Sequence, residues 1–373
     1  MTAIAERKRR SSPTGMVLNV ATLRKALATV KDAVPKRSPR AILQSVRLAD
    51  GLLTASDGEL RIDADLPGFD GPALLLPFNR LDAILRAITC EELQITSSGN
   101  SCKIATQTGT WVLPTEDAAE YPAGEMPDAP SITRLPTDQF RRAVNGVVYA
   151  HDDESTRFAL SAVQIEVNDG VVHFVATDGR RISIVEMEHD LAVDDSETLV
   201  PARALHILAK IVSGSGEEAV QIDANASELV ATTPGIRVAA RLIEGRFPRW
   251  RDAVPSHDTE PTTVLISELM AATTAAAICT SEASRGVDFT FAPDGLRLHG
   301  QSSGVGESSV TCPIVEFGHE CTVKLDPGFV LEFLEGLPAD GEPTVSIQAK
   351  GAGDSVVFRS EDFTGVIAPL AND

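Results

Sequence analysis

The chain is short of positive charge, of aromatic rings and of paired cysteines, and each shortage excludes something. Lys plus Arg number 33 against 53 Asp plus Glu, a formal net charge of −20 over 373 residues. The average surface therefore repels nucleic acid, and any contact with it must come from basic residues gathered on one face. Five cysteines (Cys90, Cys102, Cys279, Cys312, Cys321) are odd in number and scattered, with no CxxC pair, which argues against a disulfide framework and a structural zinc site. Uncharged apolar runs such as Ala271 to Thr280 fall far below the roughly 20 residues of a membrane span. No apolar segment follows the opening charges, so no membrane association is expected and the cytoplasm is the expected compartment. There is no GxxxxGK[ST] loop, no GxSxG elbow and no HExxH pair, and the seven histidines show no metal-ligand spacing. Neither catalysis nor a cofactor or metal is expected. The run His151-Asp152-Asp153-Glu154 could hold a hard cation through its carboxylates, although an acidic loop facing water is the simpler reading.

What is present is ample core material and a repeat. Aromatics are only 5%, but hydrophobic residues make up 43%, enough for more than one core, and the length allows two to four domains. Residues 1–15 carry Arg7-Lys8-Arg9-Arg10 among breakers and read as a flexible basic tail. Beyond it, Ser45 to Gly58 is echoed by Ala162 to Gly179 and more weakly by Val287 to Gly300, each an alternating run, an Asp-Gly turn and a second alternating run, the pattern of a hairpin. Downstream of each lies a strand, a proline and a helix-like stretch: Leu74 to Leu85 with Pro77, Thr198 to Leu208 with Pro201, and Val323 to Leu334 with Pro327. Proline suits the first turn of a helix, where its missing donor costs nothing. Upstream lies another amphipathic stretch, with Leu23, Leu27, Val30 and Val34 at helical spacing and counterparts at Pro136 to Tyr149 and Ile266 to Ile278. Each copy reads strand, helix, hairpin, strand, helix, hairpin. The expected class is α+β, with two helices per copy packed on antiparallel sheets and boundaries at 16–132, 133–256 and 257–373.

Four stretches add specificity: Val175-Ala-Thr-Asp-Gly-Arg-Arg-Ile182, Leu242-Ile-Glu-Gly-Arg-Phe-Pro-Arg-Trp250, Ser284-Arg-Gly-Val287 and Val366-Ile-Ala-Pro-Leu370. In this order on a threefold repeat, the sequence resembles the beta subunit of bacterial DNA polymerase III, the sliding clamp, from about Met16 to Leu370. The resemblance implies three repeated DNA-clamp domains, a ring closed as a head-to-tail homodimer, and double-stranded DNA threaded through it without base readout. It further implies a non-catalytic processivity role, with the polymerase III alpha subunit, the clamp loader and other clamp-motif proteins as partners. A clamp-fold paralogue that forms an interaction ring without loading onto DNA is the alternative.

If helices line the hole, their basic residues should face DNA. Candidates are Arg24, Lys25, Lys31, Lys36, Arg37, Arg40, Arg80 and Arg86 in the first copy, and Arg141, Arg142, Arg203 and Lys210 in the second. By resemblance, Arg37 matches a DNA-contacting arginine, and His151 to Phe158, with Arg157 and Phe158, matches a loop that reaches into the hole. Ala159 stands where some family members have a second aromatic. The third copy departs: Ile266 to Glu282 has no Lys or Arg, and Pro327 to Leu337 carries Glu332 and Glu335 with no basic residue. The resemblance also implies a partner-peptide groove built from Leu160, Thr177, Gly179, Arg180, Arg181, Ile182, Pro248, Asp252, Ala253, Val254, Val366, Ala368, Pro369 and Leu370. Asp252 replaces an arginine common in the family, and Ala371-Asn372-Asp373 replaces a bulkier tail, so a different or more basic peptide is expected.

Overall fold

A computed structural model describes residues 15–122, 126–152, 154, 159–188, 193–281, 286–338, 341 and 343–371. The basic tail before residue 15, Arg157 and Phe158, Ser284-Arg285 and the final Asn372-Asp373 lie outside the described residues. One order of elements recurs three times. In the first copy, strand Gly15–Asn19 and α1 (Val20–Val30) precede strands Ser45–Ala49, Leu52–Ser56 and Leu60–Asp65. Strand Leu74–Pro77 and α2 (Phe78–Ala87) then precede Glu92–Ser98, Ser101–Ala105 and Thr110–Pro114. The second copy runs Ser131–Pro136, α3 (Thr137–Val147), Ala162–Asn168, Val171–Thr177 and Arg181–Glu188, then Ser196–Pro201, α4 (Ala202–Ser215), Ala219–Ala224, Glu228–Thr233 and Ile236–Arg241. After a short α5 (Trp250–Ala253), the third copy runs Thr262–Leu265, α6 (Ile266–Ala277), Val287–Ala292, Gly295–Ser302 and Gly306–Cys312, then Cys321–Leu325, α7 (Pro327–Gly336), Thr344–Gln348, Val356–Ser360 and Phe363–Ile367.

Each expected hairpin is thus a three-stranded meander, because the second turn starts another strand rather than ending the unit. The first turns at Asp50-Gly51 and Asp169-Gly170 have positive φ at both residues (55° and 73°; 49° and 79°), the tight primed geometry that Asp-Gly favours. The second turns are alike in copies one and two. Asp57 Oδ1 accepts from the Glu59 and Leu60 amides, and Asp178 Oδ1 from those of Arg180 and Arg181. The third copy breaks the pattern: His299-Gly300, aligned by sequence with Asp178-Gly179, sits inside strand Gly295–Ser302, and the chain turns near Gly304 (φ 80°) instead.

The expected helices form where the apolar spacing places them, α1 burying Val20, Leu23, Ala26, Leu27 and Val30. Val34 lies beyond the helix and an appended 3-10 turn, Lys31–Ala33. Proline placement needs correction. Pro77, Pro136 and Pro201 occupy the N-cap, still extended as the last residue of a strand, while Pro327 is in the first turn behind Asp326, whose Oδ1 accepts from the Gly328 amide at 2.9 Å.

The described residues form two compact units, one of those up to Asp128 with Val230–Ala240, the other of Ala129–Leu229 with those from Arg241 onward. In the first, Gly15–Asn19, Glu92–Ser98, Ser101–Ala105 and Thr110–Pro114 make a four-stranded antiparallel sheet. Ile236–Arg241 pairs with Leu60–Asp65, Ile236 opposite Ala64. In the second unit, Gly306–Cys312, Gly295–Ser302, Val287–Ala292 and Cys321–Leu325 form another four-stranded sheet. There the second and third copies also share an eight-stranded sheet whose seam pairs Arg181–Glu188 with Phe363–Ile367. Phe140, Phe174, Phe333, Phe358 and Phe363 fill its core. Gly146 lets α3 lie directly on Phe363, since any Cβ there would strike that ring.

Candidate functional site

The seam of the eight-stranded sheet places Ile182 directly opposite Val366. Around them Val175, Ile184, Phe247 and Trp250 complete a buried apolar cluster, with half-buried Leu199 and Val254 packed against it. Three residues of the expected groove, Ile182, Val254 and Val366, are therefore brought together from distant parts of the chain. Phe247 and Trp250 were not among the expected groove residues. Their signal was the apolar spacing within Phe247-Pro-Arg-Trp250, which only the tertiary fold connects to Ile182. Leu370 lies outside the cluster, half-buried, its amide donating to the Lys324 carbonyl at 2.8 Å. The Ala368 amide donates to the Arg180 carbonyl at 2.8 Å, holding the chain end beside the turn. Leu160 is buried, Pro248 and Pro369 are half-buried, and Asp252 and Ala253 are exposed on α5.

Thr177 and Gly179 are turn-forming residues: the Thr177 hydroxyl donates to the Arg181 carbonyl at 2.6 Å, accepts from the Gly179 amide at 3.0 Å, and Gly179 takes φ 85°. The two arginines that follow differ. Arg180 is exposed, whereas Arg181 is buried and does not offer its guanidinium to the groove. That group bonds Asp178 at 3.0 Å, the Tyr149 carbonyl at 2.7 Å and Glu332 of α7, and stacks on Phe329 with 4.3 Å to the ring centroid. Arg181 thus fastens the second copy to the third, and Glu332, counted as an acid on an uncompensated helix, has a cationic partner. The tyrosine beneath it, Tyr149, has its phenol raised above the ordinary range, chiefly by burial.

Asp252 is likewise compensated: Arg249 Nε lies 3.1 Å from its Oδ2, so the acid expected to alter the groove rim forms a local exposed pair. Next to it, Arg251 packs over the Trp250 ring at 4.1 Å and bonds Glu166 at 2.9 Å. Burial works to raise the Glu166 carboxyl, but Arg251 and a Trp250 hydrogen bond outweigh it and hold the group below its ordinary range. His173, 5.6 Å from Trp250 between ring centroids, is held below its ordinary 6.5, first by burial and then by the Arg251 charge, against the pull of Glu186 and Glu166. Beside this stack opens a cleft of about 770 Å³ whose lining includes Gln164, Glu197, Leu199, Glu244, Phe247 and Trp250.

The basic candidates separate into two kinds. Lys25, Lys31, Lys36, Arg37, Arg40, Arg80 and Arg141 are exposed. Arg203 and Lys210 are exposed on α4. Arg86 pairs with Asp82 one turn earlier at 2.9 Å. Arg24 is a structural cap: its guanidinium donates to the Leu85 and Ile88 carbonyls at the C-terminal end of α2, where helix carbonyls lack partners. Arg142 bridges α3 to Glu361 at 3.2 Å and packs over Phe363. Of the possible cation run, the His151 ring bonds the Val148 carbonyl, Asp152 caps the Glu154 amide at 2.9 Å, and Asp153 is outside the described residues. Among the described residues no group of three or more His, Cys, Asp or Glu side chains gathers as a metal would require, and no helix is long and apolar enough to cross a membrane.

Residues 134–249 match the family model described as DNA polymerase III beta subunit, central domain. The beta sliding clamp of Chlamydia pneumoniae is 24% identical over 316 residues, covering 82% of this chain and 85% of that protein. The one from Synechocystis sp. is 22% identical over 375 residues, covering 92% and 95%. The Bacillus subtilis sliding clamp superposes with a TM-score of 0.90 at 19% identity, over 97% of this chain and all of that one. The chain has the beta sliding clamp fold. A Pseudomonas aeruginosa clamp bound to griselimycin shares that fold with a TM-score of 0.88 at 19% identity, over 97% of this chain and all of its own.

Proposed function

We propose that this protein is a DNA sliding clamp, a non-catalytic processivity factor that encircles duplex DNA and tethers replicative and repair partners through a peptide groove. The observation that carries the reading is agreement over length: sliding-clamp likeness runs through nearly the entire chain, and the clamp proteins it matches are covered just as fully. Geometry supports ring closure. At both internal seams the third strand of one copy's first meander pairs with the last strand of the following copy, Leu60–Asp65 with Ile236–Arg241 and Arg181–Glu188 with Phe363–Ile367. The strands of those two kinds left at the edge of a sheet are Thr110–Pro114 and Gly306–Cys312. Joining the second edge of one protomer to the first edge of another repeats the seam, and doing so twice closes a head-to-tail dimer. Val112 is 65% exposed on one edge, and Val305 beside the other edge is 54% exposed.

Exposed Lys25, Lys31, Lys36, Arg37, Arg40, Arg80 and Arg141 supply sequence-blind phosphate contacts in this reading, with Arg86 on α2 and Arg203 and Lys210 on α4. Arg157 and Phe158 belong to the proposed loop contact. Arg24, Arg142 and Arg181 act through the fold, holding the helices and the seam in place. The groove around Ile182, Val254 and Val366 takes apolar anchors of the polymerase alpha subunit, the clamp loader and other clamp-motif proteins. With Glu332 neutralised by Arg181, the acidity of α7 favours the non-loading paralogue less than composition alone implied. The test is topological: with a clamp loader and ATP, the protein should remain on nicked circular plasmid and be lost when the plasmid is linearised. Equal retention on both would defeat the reading.

A further inference from the structure

The cleft beside the apolar cluster is left unused by the groove, although Pro248 and Asp252 border both. Its charges pair off unevenly. Arg251 is taken by Glu166 and Arg249 by Asp252, and among the described residues Glu197, Glu244 and Arg246 have no ion-pair partner. Glu197 also lies directly across the strand pair from Glu166, a like-charge arrangement that a further cation would relieve. A second, independent observation concerns Gln164. It is 5% exposed, it lines the cleft, and among the described residues its Oε1 has no hydrogen-bond donor. A buried amide oxygen without a donor is costly enough that nearly all such groups in folded proteins find a partner.

The missing partner therefore carries N–H donors and positive charge. Lysine and arginine side chains have both, and their methylene stems suit a wall made by Phe247, Trp250 and Leu199. We propose that the cleft is a side pocket of the partner groove that receives a lysine or arginine of the docking peptide, its charged head donating to Gln164 Oε1 and facing Glu197 and Glu244. The proposal rests on the peptide-docking reading of the groove and adds the chemistry of a second contact.

The probes are synthetic peptides that share one Leu-Phe anchor and differ only in a flanking residue, which is lysine, norleucine or glutamate, placed two positions to either side. On the parent protein the best lysine peptide should bind roughly tenfold tighter than its norleucine counterpart, as one charge-assisted contact provides. Glu197→Gln, at an exposed position that leaves the fold intact, should shrink that preference to within about twofold while leaving norleucine-peptide affinity unchanged. Gln164→Met should do the same. Val366→Ala should weaken all peptides alike, reporting on the anchor groove separately. If lysine and norleucine peptides bind equally while Val366→Ala still weakens both, the side pocket is overturned and the groove survives. A preference for glutamate would overturn it in favour of an anion bound by the arginines. If no peptide binds, the groove reading fails and the proposal with it.

Discussion

At the residue scale, hydrogen-bond partners divide the arginines into two functional classes that share one chemistry. Arg37 is exposed beyond α1, whereas Arg24 is bonded to the end of α2. Arg37→Ala should lower DNA association equally on all sequences and reduce the slope of log affinity against log salt by about one unit, measured by anisotropy across a salt series. Arg24→Ala should leave a folded protein about 1 kcal/mol less stable to urea, because two helix-end carbonyls lose a charged donor. Arg181→Ala should cost more, roughly 2 to 4 kcal/mol in the same assay, since it strands Asp178 and Glu332 and removes a packed guanidinium. Acidity acts on the Trp250 stack. His173 and Glu166 both have folded-state values below their ordinary ones, so the stability they provide is present above 6.5 and 4.5 respectively and is lost as the pH falls through the folded values. Urea midpoints should decline as the pH drops below about 6.5, and His173→Gln should flatten the first part of that decline.

At the element scale, the meanders depend on turns that only a few residues permit. Gly179 has φ 85° and open space where a Cβ would sit, so Gly179→Ala should cost about 1 kcal/mol from backbone conformation alone, read by thermal or urea unfolding. Gly146→Ala fails for a different reason, the collision with Phe363, and should be the more damaging of the two. These elements were largely legible in the sequence. Alternating runs and Asp-Gly pairs announce strands and tight turns, and apolar residues three and four apart announce helices, because both patterns are local. The misreadings came where local pattern is ambiguous. His299-Gly300 resembled a turn but continues a strand, and the third strand of each meander follows a turn that had been taken for an ending.

At the scale of the whole molecule, two edge strands should govern assembly. A head-to-tail dimer of about 79 kDa, twice the 39.6 kDa chain, is expected by light scattering at micromolar concentration. Val112→Lys places a charge on an exposed edge strand, so it should shift the protein towards monomer while leaving protomer stability within about 0.5 kcal/mol. Loss of dimer without loss of fold would locate the closure at this edge, and an unchanged dimer would move it elsewhere.

The sequence by itself determined the threefold order of elements, the positions of the helices and the deficit of cations in the third copy. Each of these depends on neighbours a few positions away or on composition. Tertiary structure alone decided which side chains are available. Nothing near Arg181 in the chain says that its partners are Tyr149, Phe329 and Glu332, whereas the Arg249–Asp252 pair, three residues apart, is local. The groove followed the same rule: Ile182 and Val366 meet because two strands from different copies pair antiparallel, and Phe247 and Trp250 join them only once the chain has folded back. A side chain's type is written locally, but its partner is set by long-range packing, and in this protein the partner decides whether an arginine is a cap, a seam bolt or a free charge.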